Sequence, residues 1–293
     1  MKKCSSKKII VSVILIAAAF LICLSGKSLY DSKYSLTCSE YSIESEKLTS
    51  PIRVVQLSDL HNSEFGAENQ KLIEMVKAQK PDIILITGDQ LNGNEEDTSV
   101  AVDTVSALSE VAPTYFSLGN HEIMYQQNFG IDVTELFESA GATVLEMEYV
   151  DIEVNGQQIR IGGIYGYCLP EKYLKTNETD PEECEWLSDF QNTSRYTVLM
   201  CHMPTSWILS DGINEWNVNS VFSGHTHGGE IILPFIGGVY GPDFGFFPGK
   251  LEGVYYSENK DKVLILSRGL GTASSIPRFN NIPEIVTVNF VPA

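Results

Sequence analysis

The chain opens on a stretch with no polar face. Residues 9–24 (IIVSVILIAAAFLICL) hold one serine and no charge. Crossing a bilayer as a helix takes about 20 residues, with a lower limit of about 17. Ser25, Gly26 and the flanking lysines extend the run to that length, so the pattern predicts a transmembrane helix over residues 9–26. After Pro51 the rhythm changes. Short apolar, β-rich runs at 52–57, 83–87, 114–118, 197–201, 218–223 and 263–267 alternate with helical patterns such as 68–77 and 100–111. Strands apolar on both faces, interleaved with helices, predict a layered α/β fold. Residues 143–161 alternate instead about Asn155-Gly156, a hairpin-turn dipeptide, so the sheet system is expected to be mixed. Residues 27–50 are polar and serine-rich and read as a linker. The chain thus divides into a basic tip (1–8), a signal anchor (9–26), a linker (27–50) and one domain (51–293).

Charge sharpens this division. The chain of 293 residues has 20 Lys+Arg against 38 Asp+Glu, a net charge of −18. Lys2, Lys3, Lys7 and Lys8 precede the apolar run, and no acidic residue occurs before Asp31. Setting those four lysines aside leaves 16 basic against 38 acidic residues, a body of −22. Such a body does not hold duplex nucleic acid by counterion release. The positive-inside bias places the lysines in the cytoplasm and the domain outside it. A cleaved signal peptide has the same basic and apolar layout; on that alternative the protein is secreted, although no Ala-x-Ala site follows the run. Six cysteines, among them Cys38, Cys168, Cys184 and Cys201, are irregularly spaced, form no CxxC and name no disulfide pair.

The candidate chemistry lies just after the strand patterns. These end in Ser58-Asp59-Leu60-His61, Thr87-Gly88-Asp89, Gly119-Asn120-His121-Glu122, Cys201-His202-Met203-Pro204 and Gly224-His225-Thr226-His227-Gly228-Gly229. All five histidines of the chain fall in these five segments. C-terminal strand edges share one rim in an α/β sheet, which brings Asp, Asn and His side chains together as metal ligands. A single His or Asp at such a position is commonly a hydrogen-bonded structural residue or a helix cap; it is the clustering that points to metal. Imidazole and carboxylate without thiolate suit Mn, Fe or Zn. The ligands outnumber the needs of one tetrahedral ion, so two divalent ions are expected.

In order and completeness these segments resemble the calcineurin-like metallophosphoesterase superfamily: Asp59-x-His61, Gly88-Asp89, Gly119-Asn120-His121-Glu122, a lone His202, then Gly224-His225-x-His227. The resemblance spans roughly Pro51 to the C-terminus. It implies two mixed β-sheets packed face to face and flanked by helices, an α/β/β/α sandwich behind the N-terminal transmembrane helix. It also implies ligand roles: Asp59, His61 and His227 on a first metal, Asp89 bridging, and Asn120, His202 and His225 on a second. His121 would contact the phosphate or protonate the leaving group. The expected activity is hydrolysis of a phosphodiester or pyrophosphate by a hydroxide held between the ions. Ser267-Arg268-Gly269-Leu270-Gly271, Ile276-Pro277-Arg278-Phe279 and Pro283-Glu284 resemble a bacterial membrane-anchored branch with enzymes of phospholipids and UDP-linked lipid sugars, which implies a lipid-linked substrate. Glu230 departs from that branch, which often has Gln there.

Arg268 and Arg278 have two readings, bidentate phosphate ligands or structural arginines. So does the breaker-rich apolar stretch after Glu230: a loop packed on the core, or a hydrophobic lip beside the metals for an acyl chain or the bilayer. A phosphomonoesterase or nucleotidase, or an inactive metal-binding membrane sensor or adaptor, are the alternative functions. Gly162-Gly163-Ile164-Tyr165-Gly166 lacks the helix that a dinucleotide loop requires.

Overall fold

The protein is described by a computed structural model covering residues 3–166, 181–249, 251–272 and 276–293. Lys2 and Cys168 lie outside the described residues. Helix α1 (Lys3–Tyr34) carries the apolar run. Its segment Lys8–Tyr34 is long and apolar enough to cross a membrane, with none of its most hydrophobic window buried. Strand β1 (Thr37–Ser45) follows almost at once.

Two six-stranded sheets form the body. The first takes β1 together with β2 (Ile52–Leu57), β3 (Ile83–Thr87), β4 (Thr114–Ser117) and β5 (Thr143–Val144). The second holds β6 (Glu148–Val154), β7 (Gln157–Ile164), β8 (Tyr196–Cys201) and β9 (Ser220–Ser223). A separate three-stranded sheet runs β10 (Ile232–Leu233), β11 (Gly237–Gly241) and β12 (Gly245–Gly249). Strands β13 (Gly253–Tyr256) and β14 (Val263–Leu266) complete the second sheet, and β15 (Glu284–Pro292) the first. The orders are β1-β15-β2-β3-β4-β5 and β13-β14-β9-β8-β7-β6. Neighbours β2 to β5 are parallel, as are β7-β8-β9-β14, while β15 and β2, β6 and β7, and β13 and β14 pair antiparallel. Both sheets are therefore mixed, and Asn155-Gly156 turns the β6–β7 hairpin as expected.

Alternate residues of each strand point to opposite faces, and both faces are apolar. Val54, Leu85, Ile161, Met200, Phe222 and Val288 form the layer between the sheets. The outer face of the first sheet meets α2 (Gln70–Gln79), α3 (Ser99–Ser109) and α5 (Val133–Ser139) through Val55, Ile86, Leu72, Val105 and Phe137. Helix α4 (Asn120–Phe129) starts at the end of β4. Phe116 stacks on Phe137 at 4.3 Å, a contact worth about 0.5–1.5 kcal/mol beyond its buried area. The second sheet is covered by α6 (Pro181–Phe190) and the short α7 (Thr205–Leu209) and α8 (Gly212–Glu215), with Leu187, Phe190 and Trp207 buried. The architecture is the expected helix-flanked pair of face-to-face sheets.

The expected linker 27–50 differs. It contains the end of α1 and all of β1, which pairs in parallel with β15 from Thr37↔Glu284 to Ser45↔Pro292. Its sequence TCSEYSIES buries only Ile43, because an edge strand is half solvated. A polar edge strand shows no apolar alternation, and its partner lies at the far end of the chain. Among the described residues Cys23 and Cys38 are free thiols.

Candidate metal centre

The C-terminal ends of β2, β3, β4, β8 and β9 meet at one rim. There the backbone leaves the strands in the left-handed region: φ is 54° at Asp59, 47° at His61, 54° at Asp89, 69° at His225 and 47° at His227. Each such non-glycine residue costs about 1–3 kcal/mol and persists only where surrounding structure enforces it. Backbone hydrogen bonds supply that enforcement. Asp59 donates to the Gly88 carbonyl (3.0 Å), His61 to Asp89 (3.1 Å), Gly224 to His202 (3.0 Å) and Leu270 to Ser58 (3.0 Å). At Gly224 a Cβ would stand 1.9 Å from Ser58 Oγ and 2.3 Å from Asp59 Oδ2. Only glycine admits that approach, and it lets the His225 N–H donate to both Asp59 oxygens at 3.0 and 3.2 Å.

Three groups of ligand atoms lie within 4.8 Å of one another: Asp59, His61 and His227; His61, Asp89 and His121; and Asp89, His202 and His225. Asp89 Oδ2 stands 3.6 Å from His61 Nε2 and 3.3 Å from His202 Nε2. Asp59 Oδ1 is 3.7 Å from His227 Nε2, and Asn120 Oδ1 is 3.2 Å from His202 Nε2. On the far side of the rings, Nδ1 of His61 faces Asn92 Oδ1 (3.1 Å), that of His202 faces the Thr87 carbonyl (2.7 Å), and that of His227 faces the Gly271 carbonyl (3.2 Å). An oxygen at Nδ1 keeps a proton there and turns Nε2 toward the centre, the arrangement of metal-ligating histidines. The buried Nε2 of His61 has no hydrogen-bond partner. Orphaned imidazole nitrogen beside convergent carboxylates fits divalent metal ions, for which the donor set is suited.

Electrostatics separate His202 from the other two rings. Burial pushes His61 and His227 down to about 3. Burial also opposes charge on His202, but the Asp89 carboxylate outweighs it and lifts the ring to about 10. Burial alone would raise Asp89; His202 and then His61 hold it well below the carboxylate range. Glu122, in the first turn of α4, is fully buried and accepts the N–H groups of Asp89 (2.7 Å), Gln90 (2.8 Å) and Gly119 (2.8 Å). Burial and then Asp89 push its carboxyl up to about 7 against those donors. Its work is to clamp the Asp89 loop to α4.

His121 is oriented differently. Its Nδ1 accepts the Gly93 N–H at 3.1 Å, so the neutral ring carries its proton on Nε2. The backbone N–H of His121 in turn donates to Asp89 Oδ1 at 2.8 Å. A cavity of about 400 Å³ opens over the centre, lined among others by Asn120, His121, His227, Tyr240, Pro242 and Ile276.

The two arginines are committed elsewhere. Arg278 is buried and spends five donor contacts on the carbonyls of Arg268, Gly269, Gly271 and Asn281 and on Asn281 Oδ1. A guanidinium has five N–H groups, so none is left for phosphate. Its bond to Gly271 O (2.7 Å) instead braces the carbonyl that orients His227. Arg268 pairs with Glu284 (2.8 Å) and Glu252 (3.0 Å).

Asp243 was not among the sequence candidates. It sits between β11 and β12 with φ 62°, its Oδ2 3.3 Å from His225 Nε2 and 3.4 Å from Thr205 Oγ1. Its signal was available: it is the one charged residue in 231–249. Carboxylates that hold ligating histidines commonly contribute about 10–100-fold in metal affinity. Asp243→Ala is expected to weaken binding of one metal ion by that factor, measured by titration with Mn²⁺ under competing chelator; unchanged affinity would make the contact incidental.

The family model described as calcineurin-like phosphoesterase matches residues 52–229, more than half of the chain. An uncharacterised metallophosphoesterase of Aquifex aeolicus is 29% identical over 92% of this chain and 97% of its own length. The phosphodiesterase YaeI of Escherichia coli is 26% identical over 82% of this chain and 83% of its own. A metallophosphoesterase F40B5.2 of Caenorhabditis elegans is 29% identical, but this chain spans only 44% of its length. Among solved structures, a 5'-nucleotidase precursor from Thermus thermophilus aligns with TM-score 0.49 and 14% identity, over 82% of this chain and 54% of its own.

Proposed function

The chain belongs to the calcineurin-like phosphoesterase family, and from that premise we propose that it is a membrane-anchored, two-metal phosphodiesterase acting on a lipid-linked phosphodiester or pyrophosphate. Metal-dependent phosphoester hydrolysis is the family's chemistry. One observation carries the two-ion reading: two ligand groups, one about Asp59 and one about His202, are joined through Asp89. Asp59, His61 and His227 would hold one ion, Asn120, His202 and His225 the other, and Asp89 both. When bound, such a pair of cations lowers the pKa of water and neutralises phosphate charge.

The remaining steps belong to the chain's own residues. The Nδ1 contacts at Thr87, Asn92 and Gly271 orient the rings before substrate arrives, so little reorganisation is left for the reaction. His121 presents Nε2–H to the cavity and donates a hydrogen bond to the phosphate or to the departing oxygen, stabilising the charge that develops there. The Tyr240, Pro242 and Ile276 lining supports an amphiphilic ester as substrate. The name of the Escherichia coli relative supports the diester reading. The apolar helix with its preceding lysines supports a single-pass anchor, N-terminus cytoplasmic and domain outside.

The test uses the full chain in detergent with Mn²⁺, on a nitrophenyl phosphodiester, a nitrophenyl monoester, a nucleotide and a short-chain phospholipid. The expected order puts the diesters at least about tenfold in kcat/KM above the monoester, a difference of about 1.4 kcal/mol in transition-state stabilisation. Preference for monoester or nucleotide would identify a phosphomonoesterase. Bound metal without turnover on any of them would identify a sensor or adaptor.

A further inference from the structure

We propose that the three-stranded sheet β10–β12 is a second membrane contact that seats the metal centre against the headgroup layer of a phospholipid bilayer. The inference rests on the reading of α1 as a membrane span. It adds a surface that neither the family match nor the anchor assigns.

Composition is the first observation. Charged residues make up 20% of the chain, yet residues 231–249 contain only Asp243, and that side chain turns toward His225. What faces outward is apolar: Phe235 is fully exposed, Phe246 is 74% exposed and Phe247 58%, with Ile236 and Tyr240 beside them. Exposed apolar side chains gathered on one small element mark an interaction surface. Aromatic side chains are the residues that settle at the membrane–water boundary.

Position is the second. The loop through Phe279 and Asn280 ties the sheet to the outer end of α1. Asn280 N–H donates to Ser28 Oγ (2.8 Å) and Asn281 N–H to the buried Ser32 Oγ (3.0 Å). The same Asn280 donates its side-chain amide to the Ile232 carbonyl (3.1 Å), and Ile232 N–H donates to the Phe279 carbonyl (3.0 Å). Leu24 and Lys27 line a hollow with Asn280 and Ile282. Leu24 is the last residue of the uninterrupted apolar run, so this loop lies where α1 leaves the hydrocarbon. Phe235 is three residues beyond Ile232, hence within about 11 Å of it along the chain. The exposed turn is therefore held at the level of the lipid interface by hydrogen bonds, with no flexible linker between them.

The consequence is for the site. Tyr240 of β11 lines the cavity over the metal ligands, and Asp243 reaches His225 from the β11–β12 turn. A sheet resting on the bilayer would bring the cavity mouth to phosphates at the membrane surface.

The experiment uses the full chain reconstituted into vesicles of phosphatidylcholine and phosphatidylglycerol, with bromine placed either near the headgroups or deep in the acyl chains. Phe235→Trp supplies the probe; Tyr256→Trp, on the exposed edge strand β13, is the control, and the emission of the unsubstituted chain is subtracted. An interfacial element sits about 5–10 Å into the headgroup and acyl boundary, so the Phe235→Trp emission should be largely lost with shallow bromines, less affected by deep ones, and the control spared. Chain that floats with vesicles while Phe235→Trp is unquenched overturns this contact and leaves the anchor standing. Chain that does not float overturns both. An unquenched probe whose emission shifts with protein concentration assigns the patch to a second copy of the chain and overturns the bilayer contact.

Discussion

Asp89→Asn is expected to lower turnover of a phosphodiester by about 10³-fold, at the upper end of what losing one charge-stabilising group costs, and to reduce bound metal from two ions to one or none. The substitution isolates charge from structure. Asn tolerates the left-handed backbone that Asp89 adopts at φ 54°, and its amide oxygen can still accept the His121 N–H that Oδ1 receives at 2.8 Å. What disappears is the negative charge between His61 and His202. Elemental analysis of the purified chain, with a thermal melt to show that the fold persists, separates the outcomes. Two ions and normal turnover in a folded Asp89→Asn chain would remove Asp89 from the bridging position.

His121→Asn should leave the metal content intact and reduce kcat by about 10²–10³-fold, the range for loss of one donor aimed at developing charge. The reason is the hydrogen bond at the back of the ring. With Gly93 N–H on Nδ1, Nε2–H is left to donate a hydrogen bond to the departing oxygen. His121 also lies near enough to His61 and Asp89 to be a ligand, so two readouts are needed. A donor to the leaving oxygen matters most when that oxygen carries much developing charge, as a basic one does. The loss should therefore be large for an alkyl ester and much smaller for a nitrophenyl ester, which departs without protonation. Loss of metal would make His121 a ligand. An equal loss for both esters would assign it to orienting the phosphate.

Much of this site was legible before any coordinates. Asp59, His61, Asp89, Asn120, His202, His225 and His227 each follow a short apolar run, and parallel strands put such positions on one edge. The strand runs themselves are local signals, because burial on both faces writes itself into consecutive residues: β3 is buried at all five positions. The Asn155-Gly156 turn is equally local.

What escaped depends on partners far apart in the chain. Strand β1 is polar and half exposed, and becomes a strand only by pairing with β15, whose register starts at Thr37↔Glu284. Arg278 reads the same in sequence whether it binds phosphate or carbonyls; the folded loop supplies the carbonyls that occupy its donors. The aromatic stretch after Glu230 folds as a small sheet with exposed aromatic side chains beside the cavity, and it delivers Asp243 to His225. Sequence alone determined which side chains gather at one rim, since residue type and strand periodicity are properties of neighbouring residues. The tertiary structure decided which nitrogen of His61, His202 and His227 faces the centre, that the Arg278 donors are already spent, and how α1 is braced against the domain, because each of those is set by a hydrogen-bond partner that only the folded chain brings within reach.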